Sequence, residues 1–141
     1  MSVATEVIVD LLARGHEVRF RATGDSMHPI IRGEDYLHVI PAQTVRRGDV
    51  VLMLASRGLT AHRVVEVAEN TLVTRGDNIA ENDAPIDRTN VLGVVTHAER
   101  NGRKRRVRSL RVRLFRLLWS GGLLARRRLS MLGGLRARRS T

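Results

Sequence analysis

Residues 48–76 read GDVVLMLASRGLTAHRVVEVAENTLVTRG. Three runs rich in Val, Leu and Thr lie in this stretch, at Val50–Leu54, Ala61–Val67 and Thr71–Thr74, parted by turns at Gly58 and Asn70. Short β-rich runs punctuated this closely read as strands, and strands at such spacing build a compact antiparallel sheet or barrel. Working outward, Tyr36–Ile40 and Val91–His97 add two more runs, with turn signals at Gly33, Gly48 and Gly76. Further upstream Glu17–Ala22 (EVRFRA) alternates charged with apolar residues, as a strand facing one core does. Thr23-Gly-Asp-Ser-Met-His-Pro29 follows as a turn, since Gly24 accepts unusual dihedrals and Pro29 forbids helix. Val3–Ala13 places Thr5, Glu6 and Asp10 among Val3, Val7, Val9, Leu11 and Leu12, which predicts a short amphipathic helix stopped by Gly15. The expected class is mostly β with one N-terminal helix.

Charge divides the 141 residues in two. Residues 101–141 hold 13 arginines and one lysine with no acid, whereas residues 1–100 hold 11 arginines against 14 acids. The net charge of +11 therefore averages a mildly acidic domain, 1–100, and a strongly basic tail, 101–141, that opens at Asn101-Gly102. Such asymmetry calls for an anionic partner. With aromatics at 3%, the core must be built from Val, Leu and Ile, and the absence of cysteine excludes disulfides and thiolate chemistry.

From Val107 to Leu135 the tail mixes Leu, Val, Phe115 and Trp119 with arginine, broken by Gly121-Gly122 and by Gly133-Gly134. At helical spacing this is an interfacial amphipathic pattern, whose arginine heads can meet lipid phosphates. Leucine content and a single tryptophan favour an anionic membrane surface over nucleic acid, which wants stacking aromatics. No apolar run reaches the roughly 18 residues of a membrane span. The N-terminus lacks a positive n-region and carries Glu6 and Asp10 in its apolar stretch, unlike a signal peptide. Peripheral attachment on the cytoplasmic side is the resulting expectation.

Four motifs stand in order: Gly-Asp-Ser-Met-His-Pro at 24–29, Gly-Asp-Val-Val at 48–51, His-Arg-Val-Val at 62–65 and Arg-Gly-Asp-Asn at 75–78. Over residues 18–97 this set resembles the signal peptidase I family, and its Ser-Met-x-Pro turn is also similar to that of LexA-like self-cleaving proteins. The resemblance implies their shared mostly β peptidase fold, a nucleophilic Ser26 at a strand end, no cofactor, and an extended protein or peptide substrate cut after small residues.

The wider family activates its serine with either a neutral lysine or a histidine. Here the only lysine is Lys104, set in Arg103-Lys-Arg-Arg106, the opposite of the desolvated site a lysine base needs. His62 takes its place, because an imidazole can accept a proton near neutral pH. Its His-Arg-Val-Val setting resembles the archaeal and endoplasmic-reticulum type, which implies an acid downstream: Asp83 first, with Asp77 as the supporting or alternative carboxylate. The Ser26 N–H is the expected oxyanion donor. Gly24 stands where many signal peptidases carry a second serine, so a second donor is not indicated.

Taken singly, these residues have ordinary explanations as turn formers or packed polar groups, and only their order argues for a site. His16, His28, His38 and His97 have no acidic or cysteine partner at ligand spacing, so no metal is expected. Met27 reads as a packing or cleft-rim residue. Two rival readings remain. A LexA-like self-cleaving regulator would bring a DNA-binding helix pair and a core lysine, and a non-catalytic β module would merely position the tail.

Overall fold

Alternating inward and outward side chains build most of this molecule, whose computed structural model describes residues 1–108. In chain order the elements are α1 (Val3–Ala13), β1 (Val18–Arg21), β2 (Tyr36–Pro41), β3 (Val50–Ala55), β4 (Gly58–Val67), β5 (Thr71–Arg75), β6 (Ile86–Asp87), a short 3-10 turn, β7 (Val91–Arg100) and β8 (Arg103–Arg106). The strands run β1-β2-β7-β3-β4-β5-β6 across one sheet, all paired antiparallel, with β8 attached to β7. The fold is mostly β, as expected, and each of the six predicted runs falls on a strand.

β3 explains how a small chain with few aromatics makes enough core. Val50, Val51, Leu52 and Met53 are all buried, so the strand is covered on both faces. Val50 and Leu52 join Leu12, Met27, Leu37, Val39 and Val95 in one cluster, while Val51 joins Val45, Val64, Leu72 and Val91 in another. The strand pleat sends alternate side chains to opposite sides, and here each side meets its own apolar cluster.

The helix matches its predicted span, but its buried face differs. Ser2 caps it, its hydroxyl accepting from the Thr5 N–H at 3.2 Å. Ile8 and Leu12, one turn apart, pack into the first cluster, while Val3 and Val7 are exposed at 76% and 51%.

The basic segment enters the sheet earlier than its charge suggests. Asn101 and Gly102 both take positive φ, 51° and 73°, the geometry of a two-residue hairpin turn. Arg103–Arg106 then pairs with the C-terminal half of β7, on the edge whose N-terminal half holds β3. Val107, 1% exposed, closes the core behind it. Residues 101–107, placed with the tail on charge, thus complete the β domain, and four exposed cations guard the new edge. The amphipathic helix expected beyond them lies, from Ser109 onward, outside the described residues.

Candidate active site

The nucleophile candidate sits on a loop closed at its base. Ala22 N–H donates to the Asp35 carbonyl at 2.8 Å and Glu34 N–H to the Ala22 carbonyl at 2.9 Å, so residues 23–33 leave the sheet and return to one point. Met27 and Ile31, each 4% exposed, pin the loop to the core. Gly24 takes φ +79° to start the turn, a conformation side chains resist, which accounts for glycine at this position.

Asp35 locks the base of that loop. Its carboxylate accepts from the Arg32 N–H at 3.0 Å and from the Arg100 guanidinium at 2.7 and 2.6 Å. Burial alone would push this carboxyl up, but the Arg100 hydrogen bonds, the Arg32 N–H and the charges of Arg100 and Arg105 hold it below its ordinary value.

β4 delivers His62 to the loop, 7% exposed. Its Nε2 lies 3.1 Å from Ser26 Oγ and its Nδ1 lies 2.6 Å from Asp83 Oδ2. A carboxylate only accepts, so Nδ1 carries the proton and donates, which leaves Nε2 as acceptor for the Ser26 hydroxyl. Ser26, His62 and Asp83 therefore form one line of hydrogen bonds from half-buried hydroxyl to partly exposed acid.

Asp77 is placed elsewhere. Both its oxygens are taken by Arg63, from Nε at 2.8 Å and Nη2 at 2.7 Å, and both side chains are only 2% exposed. Arg63 also donates through Nη1 to the Gly48 carbonyl at 3.0 Å and the Val107 carbonyl at 3.1 Å. One buried cation thus joins β4, the turn before β3, the residue after β8 and the loop after β5. Asp77 faces Arg63 and makes no hydrogen bond to His62 among the described residues.

The Gly76–Asn78 segment packs directly on the nucleophile turn. Asn78 N–H donates to the Ser26 carbonyl at 2.9 Å, Asn78 Nδ2 to the Asp25 carbonyl at 3.2 Å, and Asp77 N–H to the Met27 sulfur at 3.3 Å. A Cβ on Gly76 would stand 2.6 Å from the Ser26 carbonyl oxygen and 2.9 Å from Ile79 Cδ1, so the Arg-Gly-Asp-Asn motif needs its glycine for close approach. Met27 is a packing residue that also receives this loop.

Sequence reasoning did not single out Arg63, Asn78 or Thr74, though the first two stand inside quoted motifs. Lys104 lies on exposed β8, opposite Glu99. His16 and His28 are exposed, while His38 and His97 meet edge-on with ring centroids 6.4 Å apart beside Glu99. Among the described residues no three acidic, histidine or cysteine side chains gather as a metal set, and no helix is long and apolar enough to cross a membrane.

The family model described as Peptidase S24-like matches residues 4–96, well over half of the chain. The chain belongs to the Peptidase S24-like family. No curated protein matches the chain significantly. Membership gives the fold of serine peptidases and of LexA-like self-cleaving proteins, and the matched span of this Peptidase S24-like domain contains Ser26, His62, Asp77 and Asp83.

Proposed function

We propose that this chain is a serine endopeptidase in which Ser26 is the nucleophile, His62 its general base and Asp83 the orienting acid. The single observation that carries the reading is the line Ser26 Oγ to His62 Nε2 at 3.1 Å and His62 Nδ1 to Asp83 Oδ2 at 2.6 Å. As Ser26 Oγ attacks a scissile carbonyl, His62 Nε2 takes the hydroxyl proton and Asp83 stabilises the imidazolium. The tetrahedral oxygen is met by the Ser26 N–H, which bonds no other acceptor among the described residues. His62 then protonates the leaving amine, the peptide bond breaks, and a water activated by the same imidazole hydrolyses the acyl ester.

The substrate class proposed is a leader or signal segment in extended form, cut after a small residue, in keeping with the signal peptidase I resemblance. The test is a library of leader-type peptides read by mass spectrometry. Wild-type protein cuts a defined subset, and Ser26→Ala lowers the rate on those peptides by about a thousandfold or more. Cleavage at the wild-type rate by Ser26→Ala would refute the mechanism.

Family membership itself favours a second reading, self-cleavage. Intact mass after long incubation separates the two: a chain that shortens only when Ser26 is present supports self-cleavage. Peripheral attachment to an anionic membrane through the Arg-rich C-terminal residues completes the proposal. The full chain should sediment with phosphatidylserine vesicles and a chain ending at Arg108 should not; equal sedimentation removes the tail from that role.

A further inference from the structure

The carboxylate that faces His62 is itself held from behind. Asp83 lies on the loop between β5 and β6, and its side chain is 30% exposed. A carboxylate with that much access to water can turn outward or offer either oxygen. Two bonds to a single residue oppose this. Asp83 N–H donates to the Thr74 carbonyl at 2.8 Å, and Thr74 Oγ1 donates to Asp83 Oδ2 at 2.7 Å. That oxygen is the one that receives His62 Nδ1.

Thr74 is suited to the task. It is fully buried on β5 at 0% exposed, and its β-branched side chain is restricted at χ1. The Met53 sulfur, 4.0 Å from the hydroxyl, is a poor competitor for its one proton. The hydroxyl has no hydrogen bond to Ser26 or His62 among the described residues, so whatever it does to them passes through Asp83.

We infer that Thr74 is a positioning residue: its hydroxyl fixes which Asp83 oxygen meets the imidazole and thereby keeps the His62 proton on Nδ1. The expected effect on rate rests on the peptidase reading above; the effect on the His62 proton does not.

Thr74→Val keeps the shape and removes the hydroxyl, while Thr74→Ser keeps the hydroxyl and guards against a mere folding defect. With ¹⁵N-labelled histidine, wild-type protein should show a slowly exchanging His62 Nδ1 proton by NMR, absent in Thr74→Val and present again in Thr74→Ser. On the library peptide that wild-type protein cuts fastest, Thr74→Val should lower kcat about 10- to 100-fold with KM within about twofold. Thr74→Ser should recover most of that loss, and Thr74→Val should cause no further loss when added to Asp83→Ala. An unchanged Nδ1 proton in Thr74→Val, a loss that serine does not recover, or an equal loss in the Asp83→Ala background would overturn the inference. If no peptide is cut at all, the peptidase reading fails and the NMR comparison alone decides the role of Thr74.

Discussion

His62 and Arg63 are neighbours on β4, and each reaches a carboxylate from the loop that follows β5, yet the two pairs are opposites. The pleat sends them to different sides. Arg63 and Asp77 are both 2% exposed, bonded twice to each other, and the guanidinium is charged at any ordinary pH. His62 and Asp83 share one bond, the acid is 30% exposed, and the imidazole can take or release a proton. Permanent charge in full burial makes a fastener. Titratable charge beside a half-open hydroxyl makes a site capable of chemistry. The loop that carries both acids also grips the Ser26 backbone, so fastener and site are built by one segment.

That contrast breaks first at Arg63. Arg63→Met leaves the Asp77 carboxylate buried without a partner and should cost about 3–5 kcal/mol of unfolding free energy in urea. Pairing it with Asp77→Leu should return much of the loss, because two apolar groups need no partner. Asp83→Asn, on the exposed side of the comparison, should cost about 1 kcal/mol. Comparable losses in Arg63→Met and Asp83→Asn would erase the distinction.

An effect between these two is expected at Asp35, whose side chain is 2% exposed but whose partner Arg100 is 27% exposed. Asp35→Asn should lower stability by about 1.5–3 kcal/mol at neutral pH. The sign with pH follows from the folded carboxyl being held low: its contribution is full above the unfolded pKa of about 3.9 and fades as pH falls through the lower folded value. Melting curves of wild type and Asp35→Asn should therefore converge in acid, and a gap that persists or widens there would contradict the assignment.

Much of this architecture is legible in the amino-acid sequence. The six strand runs and the helix carry strong periodicity and glycine punctuation, and the motif order named Ser26, His62 and Asp83, which the fold brings into hydrogen-bond contact. What escaped did so for physical reasons. β6 is two residues long, just after Pro85, too short for any period. β8 is Arg103-Lys-Arg-Arg106, with no apolar residue to alternate, so its charge hid a hairpin that Asn101-Gly102 announces. Which carboxylate meets His62 and which meets Arg63 depends on the loop path between residues 76 and 83, and no spacing rule contains that path. Thr74 differs from any other strand threonine only through the partner that folding sets behind it.

The most direct discriminating measurement is the cleavage rate per folded molecule in Asp83→Ala and Asp77→Ala, each corrected for its unfolded fraction. Asp83→Ala should fold and turn over about a thousandfold or more slowly, whereas Asp77→Ala should lose stability first and keep far more activity in whatever remains folded. An Asp83→Ala protein that cleaves at the wild-type rate, beside a folded but inactive Asp77→Ala, would reverse the roles assigned to the two acids.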